Sequence, residues 1–381
     1  MPPSIAHTAK QFLHNLTASV LSQNSHNLAV SPVSVFYAMM SVVVAATKDS
    51  KTHEEACATL GLDKDQEAAF LYAFGKIRAS LVKGSAQVKV HMASSLWCKA
   101  DVKQSFRELC LEKMSMQVGP LGGKDPINQW VEDQTLGMIK EVLTEDPEGP
   151  AVVVNVLFFK GEWTTQFSPK DTYKSKFHLS SESGETEGVP CDMMKLKDRM
   201  PYIHFNYLQI VEMSYGDDER FCAYVILPTP GGLSHDTSNP HLEKAIETIF
   251  KDPGAWEHIY DSMATEFVHL HLPRFTVECQ LGLKDTLSAM GMPTAFGPES
   301  SFDRLSVDDV VVEDVKHRVK IEVNEVGTKA AAATAVVFAT RGSRPSEPRC
   351  IDVVVDRPFV FMVYDTVTRW PLFVAKVSKP E

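Results

Sequence analysis

The amino-acid sequence predicts an α+β protein, and three observations carry that expectation. Apolar residues recur at helical spacing through most of the first third of the chain. From about residue 86 the pattern changes to alternation and to short apolar runs, as strands require. No internal repeat and no low-complexity linker divides the 381 residues, so helices and strands read as parts of one domain.

Taken in order, Ser4 to Leu21 (SIAHTAKQFLHNLTASVL) has the spacing of a helix. Ser31-Pro32 reads as a cap followed by a first-turn proline. The apolar run from Ala29 to Lys48 then reads as a buried core helix; Ser31, Pro32, Ser34 and Ser41 within it argue against a membrane span. KTHEEACATLGL predicts a short helix stopping at Gly61, and KDQEAAFLYAFGKIRASLVK a longer amphipathic one. AQVKVHMASSLW alternates as a half-buried strand does. PINQWVEDQTLGMIKEVL predicts a helix over 126–143. AVVVNVLFFKGEW is a continuous apolar run between breakers, as expected of a central strand buried on both faces. Further strands are expected around 202–214, 221–228, 266–277, 318–324, 351–364 and 372–377, with a helix over 281–291.

Hydrophobic content of 44% and charged content of 23% are ordinary for a globular protein with a large core. A net charge of −11 argues against nucleic acid or an anionic membrane as main partner, and against a glycosaminoglycan site. MPPSIAHTAKQFLHNL lacks the apolar core of a signal peptide, so the expected location is cytoplasmic, or extracellular by a non-classical route. The alternative is a secreted protein written in mature form. Seven scattered cysteines without metal spacing read as free thiols in a reducing compartment. The sequon Asn15-Leu16-Thr17 matters only if the chain is secreted.

Catalytic signatures are missing. There is no GxSxG elbow, no HExxH, no phosphate-cradling glycine loop and no defensible carboxylate pair. The expectation is a protein that is not an enzyme and needs no cofactor and no metal. His269 and His271 alternate on one strand and could share a cation, but without a third ligand they read as ordinary strand histidines.

One segment contradicts itself: NEVGTKAAAATAVVFATRGSRP, residues 324–345. Lys329 to Ala333 favour helix, while Val336, Val337 and Phe338 favour strand. Gly327 suits a hinge, and Gly342, Ser343, Pro345, Ser346 and Pro348 read as an exposed loop. Arg341 before Gly342 is a pattern that a trypsin-like protease cuts. Disagreement between levels marks a functional segment.

Six stretches in order resemble the serpin family: NLAVSPVSVFYAM, INQWVEDQTLGMIKEVL, VNVLFFKGEW, LHLPRF with LKDTLSAMGM, VVDRPFVFMVYD and PLFVAKVSKP. The likeness runs from about residue 8 to 379. It departs at Ala45-Ala46-Thr47-Lys48, where the family often has glycines, at Ala375, where Gly is usual, and at Lys329, where Glu is frequent. The resemblance implies one serpin domain over 1–381 with three β-sheets, about nine helices and an exposed reactive loop at about 325–349. It further implies a suicide-substrate inhibitor of trypsin-like serine proteases, expected to be a monomer. The protease cuts the loop and stays attached as an acyl ester; the loop then enters the large sheet as a new strand and distorts the protease.

Residue roles follow from the same resemblance. Glu325, Gly327, Thr328, Ala330, Ala331, Ala332 and Ala333 match the loop hinge. Counting sixteen residues on from Glu325 gives Arg341, so the reactive bond is Arg341–Gly342. Counting back from DRPF allows Arg344, but Pro345 directly after it blocks most trypsin-like proteases. Ser31, Ser34, Asn155 and His317 match a hydrogen-bond cluster that controls sheet opening, and Trp163 matches a tryptophan at the first insertion point. The two-residue strand period puts Thr328, Ala330, Ala332, Thr334, Val336 and Phe338 on one face of the inserting strand. Lys329 falls on the other face, expected to meet solvent. A non-inhibitory serpin acting as chaperone or carrier is the competing reading; a hinge without proline and with one charge speaks against it.

Overall fold

The computed structural model describes residues 3–23, 27–179, 188–229, 240–328 and 350–380. Helix α1 (Pro3–Leu21) and strand β1 (Asn27–Val30) lead into α2 (Pro32–Ala45). Every residue of α2 is buried, which is why its sequence is apolar all round instead of striped. Ser31 caps it, its hydroxyl accepting from the Ser34 N–H, with Pro32 in the first turn. Helix α3 (Lys51–Leu60) stops at Gly61, whose φ of 68° is the left-handed turn that glycine enters at least cost. Then come α4 (Glu67–Lys83), β2 (Val88–Cys98), α5 (Gln104–Met114), β3 (Gln117–Pro120), α6 (Lys124–Gln134) and β4 (Ala151–Glu162). The strand-rich part holds β5 (Tyr173–His178), β6 (Gly188–Phe205), β7 (Leu208–Tyr215) and β8 (Phe221–Pro228). Helices α7 (Pro240–Phe250) and α8 (Pro253–Ser262) precede β9 (Ala264–Pro273), β10 (Phe275–Gly282) and α9 (Lys284–Ala289). The last elements are β11 (Val312–Val323), β12 (Gly327–Thr328), β13 (Ile351–Val354), β14 (Phe359–Asp365) and β15 (Trp370–Val377).

The large sheet has the order β10-β11-β12-β4-β2-β3. The remaining strands hydrogen-bond as two blades, β1-β15-β14-β8-β7 and β5-β6-β9-β13, which share the long β6. This makes the expected three sheets, with nine α-helices among the described residues. Alternate side chains of β4 serve two cores. Ala151, Val153, Leu157 and Phe159 join the main core with α2 and the blades. Val152, Val154 and Val156 join a smaller core with Ile127, Trp130 and Val131 of α6. The continuous apolar run was therefore correctly read as a strand covered on both faces.

Four predicted boundaries need correction. The helix expected over 126–143 ends at Gln134. There the Thr135 hydroxyl donates to the Val131 carbonyl and accepts from the Ile139 N–H, while Leu136 and Gly137 take φ of 53° and 75°. Ile139, Val142 and Leu143 still enter the smaller core, so the apolar spacing was genuine although irregular backbone carries its second half. The strand expected at 202–214 is a hairpin turning at Asn206, and that at 266–277 is broken at Arg274. The one at 351–364 is β13 and β14, which pair with different neighbours. Among the described helices none is long and apolar enough to cross a membrane.

Candidate functional site

In the middle of the large sheet β4 and β11 run parallel, from Val312 opposite Ala151 to Lys320 opposite Phe158. His317 and Asn155 face each other in that register, and both are fully buried with Ser31 and Ser34 of the α2 N-terminus. The Ser34 hydroxyl lies 2.6 Å from Asn155 Oδ1, and Asn155 Nδ2 donates to the Ser34 carbonyl at 3.0 Å and to Ser94 Oγ at 2.9 Å. The Ser31 N–H donates to His317 Nε2 at 3.0 Å. Nε2 being the acceptor, the ring proton resides on Nδ1. Burial pushes the His317 pKa down to about 3, so the ring is neutral at ordinary pH. The four residues expected to act together do meet, tying β4, β11 and β2 to the start of α2. Ser94 is the member that sequence reasoning missed; on an alternating strand it carries no signal of its own.

At the other end of the same strand pair the sheet is already parted. Gly327 pairs with Glu162 and Thr328 with Gly161 of β4, while Thr328 also pairs with Val323 of β11. β12 thus stands between the two parallel strands, antiparallel to both. The approach is close: a Cβ on Gly327 would lie 2.0 Å from the Gly161 carbonyl oxygen. The Thr328 side chain points inward, 1% exposed, with Oγ1 at 2.7 Å from the Tyr215 hydroxyl.

The turn leading into β12 is held at three points. Asn324 Oδ1 accepts from the Val326 and Gly327 N–H groups. Trp163 donates its backbone N–H to the Val326 carbonyl at 2.8 Å and its indole N–H to the Asn324 carbonyl at 3.0 Å. Its ring stacks on Tyr215, centroids 4.3 Å apart. The Glu325 carboxylate accepts from Arg274 Nε at 2.8 and 2.9 Å and from Thr172 Oγ1 at 2.6 Å. Burial alone would raise the Glu325 pKa; the Arg274 and Thr172 hydrogen bonds outweigh it and hold the carboxyl below its ordinary value. Arg274 is the residue at which β9 of one blade passes into β10 of the large sheet, so this ion pair fastens the turn before β12 to the junction of two sheets. Arg274, Thr172 and Tyr215 were not foreseen. Arg274 stood within the LHLPRF stretch, but only the fold brings it to Glu325.

Ala330, Ala331, Ala332, Ala333, Arg341, Gly342 and Arg344, with Lys329, lie outside the described residues. The large sheet thus carries a buried polar cluster at its centre and, at one end, the two residues of β12 standing between β4 and β11. Comparison with known proteins shows the family. The family model "Serpin (serine protease inhibitor)" matches residues 7–380. Serpin-Z1A of Triticum aestivum is 30% identical over 405 residues, covering 99% of this chain and 96% of that protein. The native-state thermophilic serpin tengpin shares the fold with a TM-score of 0.83 at 22% identity, over all of this chain and 95% of its own. Human thyroxine-binding globulin does so with a TM-score of 0.85 at 21% identity, over 99% of this chain and 98% of its own. The chain belongs to the serpin family, whose members are typically protease inhibitors and not enzymes in the usual sense.

Proposed function

We propose that this chain is a suicide-substrate inhibitor of trypsin-like, arginine-specific serine proteases, with Arg341–Gly342 as its reactive bond. The protease serine attacks the Arg341 carbonyl, an ester forms, and the Gly342 amine leaves. The freed segment from Thr328 onward then extends β12 between β4 and β11, carrying the attached protease with it before water can cleave the ester.

The observation that supports this best is the register of β12. Continued along the same strands, it brings Thr334 opposite both Asn155 and His317, at the polar cluster. Ala330, Ala332, Val336 and Phe338 then fall opposite Phe159, Leu157, Val153 and Ala151, on the main-core face. The inward face of the inserting strand is therefore uncharged from end to end. Lys329 falls between half-exposed Lys160 and Glu322, where a charge is tolerated. The other face does not meet solvent throughout, however. Ala333, Ala335 and Val337 fall opposite Val156, Val154 and Val152, beneath α6. Small residues at 333 and 335 suit that covered face too. Ser31, Ser34, Asn155 and His317 act as the latch that opens, and Trp163 with Glu325 anchors the strand that starts the insertion.

Incubation with trypsin tests the reading. An SDS-stable band at the summed mass of protease and chain is expected, and a released C-terminal peptide that starts at Gly342. Arg341→Ala should abolish the band while leaving the fold intact. A peptide starting at Pro345 would move the reactive bond to Arg344. Simple loop cleavage without a covalent band would favour the second reading, a non-inhibitory serpin acting as chaperone or carrier. The likeness in fold to a protein named for binding thyroxine keeps that reading in view. The protease complex calls for no nucleic acid, membrane, glycosaminoglycan or second copy, in keeping with the net charge of −11. Free buried thiols fit a cytoplasmic setting or non-classical export.

A further inference from the structure

The histidine pair set aside for want of a third ligand acquires one in the fold. Strand β13 pairs in parallel with β9, and Asp352 comes directly opposite His269. Asp352 Oδ1 lies 2.9 Å from His269 Nδ1, and His271 Nε2 lies 3.4 Å from that same nitrogen. The three atoms are mutually within 4.8 Å. Ligands bonded to a tetrahedral zinc at their usual lengths sit about 3.3 Å apart, so the two measured edges straddle that spacing. The remaining nitrogen of His271, Nδ1, is 2.9 Å from the Tyr173 hydroxyl, an outer partner of the kind that orients a metal-bound imidazole.

The geometry points to a divalent-cation site of the zinc type, made by His269 Nδ1, His271 Nε2 and Asp352 Oδ1 with a fourth position open to water. Two imidazoles and one carboxylate select zinc, cobalt or nickel over calcium and magnesium. The neighbouring strand opposes the charge. Lys195 and Lys197 of β6 stand opposite His271 and His269, their ammonium groups held over the rings of Tyr173 at 4.5 Å and Phe267 at 5.3 Å. These lysines weaken the site without blocking it. The consequence is mechanical: β13 is a four-residue edge strand, and a bound cation clips it to β9. That clip holds down the strand on which the chain resumes after the reactive segment. It does not depend on which protease, if any, is inhibited.

The test uses the full chain, stripped with a chelator and titrated with cobalt(II) and with zinc, read by visible absorption and calorimetry. One equivalent should bind saturably, and zinc should raise the melting temperature by mass action. His269→Gln and Asp352→Asn should each weaken binding at least about tenfold, and Lys195→Ala should tighten it. Both ligand variants change partly exposed, similar-sized side chains, so in chelator they should melt with the parent chain. Two results would overturn the site. One is the lack of saturable binding. The other is binding at full strength in both variants, with a thiolate-to-cobalt absorption band that puts the ion on one of the seven cysteines.

Discussion

Glycine at 327 is required by contact more than by backbone freedom. Its neighbour is the backbone of Gly161 and Glu162, which cannot move aside for a Cβ. His317 is constrained differently: it is fully buried and neutral, its acceptor nitrogen taken by the Ser31 N–H. Unfolded, the ring takes a proton near its ordinary value of 6.5, whereas folded it resists down to about 3. The unfolded state thus binds the extra proton throughout that window, and stability falls as the pH falls. The contribution is complete above about pH 6.5 and is lost at about 1.4 kcal/mol per unit on the way down. His14, depressed to about 4 chiefly by burial and then by Lys10, acts in the same direction. Melting temperature at a fixed scan rate should therefore drop between about pH 7.5 and 5. His317→Asn should lower the melting temperature at neutral pH yet flatten this slope. An unchanged slope in the variant would show that His317 does not carry the effect.

At the scale of elements, β12 is the decisive one, although it has only two residues. A parallel strand pair would otherwise close on itself from end to end; here two antiparallel residues hold its far end open. The side chain that enters first is Thr328, which reaches Tyr215 in the main core. Thr328→Arg places an unpaired charge at a 1% exposed position, a cost of several kcal/mol that expels β12 from between β4 and β11 and leaves insertion without its starting strand. The variant should behave as a substrate: trypsin cleaves the loop, the ester hydrolyses before the strand can advance, and the stoichiometry of inhibition rises steeply. A stoichiometry equal to that of the parent chain would disprove the face assignment. The break between β9 and β10 at Arg274 belongs to the same scale. It divides a stretch that reads as one alternating strand between two sheets and leaves the arginine at their junction, beside Glu325.

For the whole molecule, the proposal makes the uncut protein a kinetic trap. On that reading the large sheet would take up a strand that the chain's own sequence supplies, and the state reached by folding would not be the best-packed one. Cutting at Arg341 should raise thermal stability, the reverse of the usual effect of a nick. The gain comes from burying 328–338 between β4 and β11, with Val336 and Phe338 at the Val153 and Ala151 end. Such a protein is described by a rate and a transition temperature, not by one equilibrium free energy. Melts before and after limited cleavage supply the measurement. A large upward shift supports insertion with no target protease in hand, and an unchanged or lower transition would give first place to the carrier or chaperone reading.

Period, caps and apolar runs determined most elements of this protein by themselves, because those signals are local. Ser31 before Pro32, Gly61 after α3 and the apolar run of β4 each act within a turn or a strand of their own position. The order of motifs along the chain was equally legible, and with it the family and the residues Ser31, Ser34, Asn155 and His317 as a group. Only tertiary structure decided where strands break and which distant groups meet. Gly137 is the one local hint that the helix stops near Thr135, and the apolar spacing that continues beyond it hides that hint. Nothing near Glu325 announces Arg274, and nothing near His269 announces Asp352, which lie 51 and 83 residues away. The reason is physical. A hydrogen-bonded turn is written in neighbouring residues, whereas an ion pair or a ligand set is written in the register between strands, which the packing of the whole sheet decides.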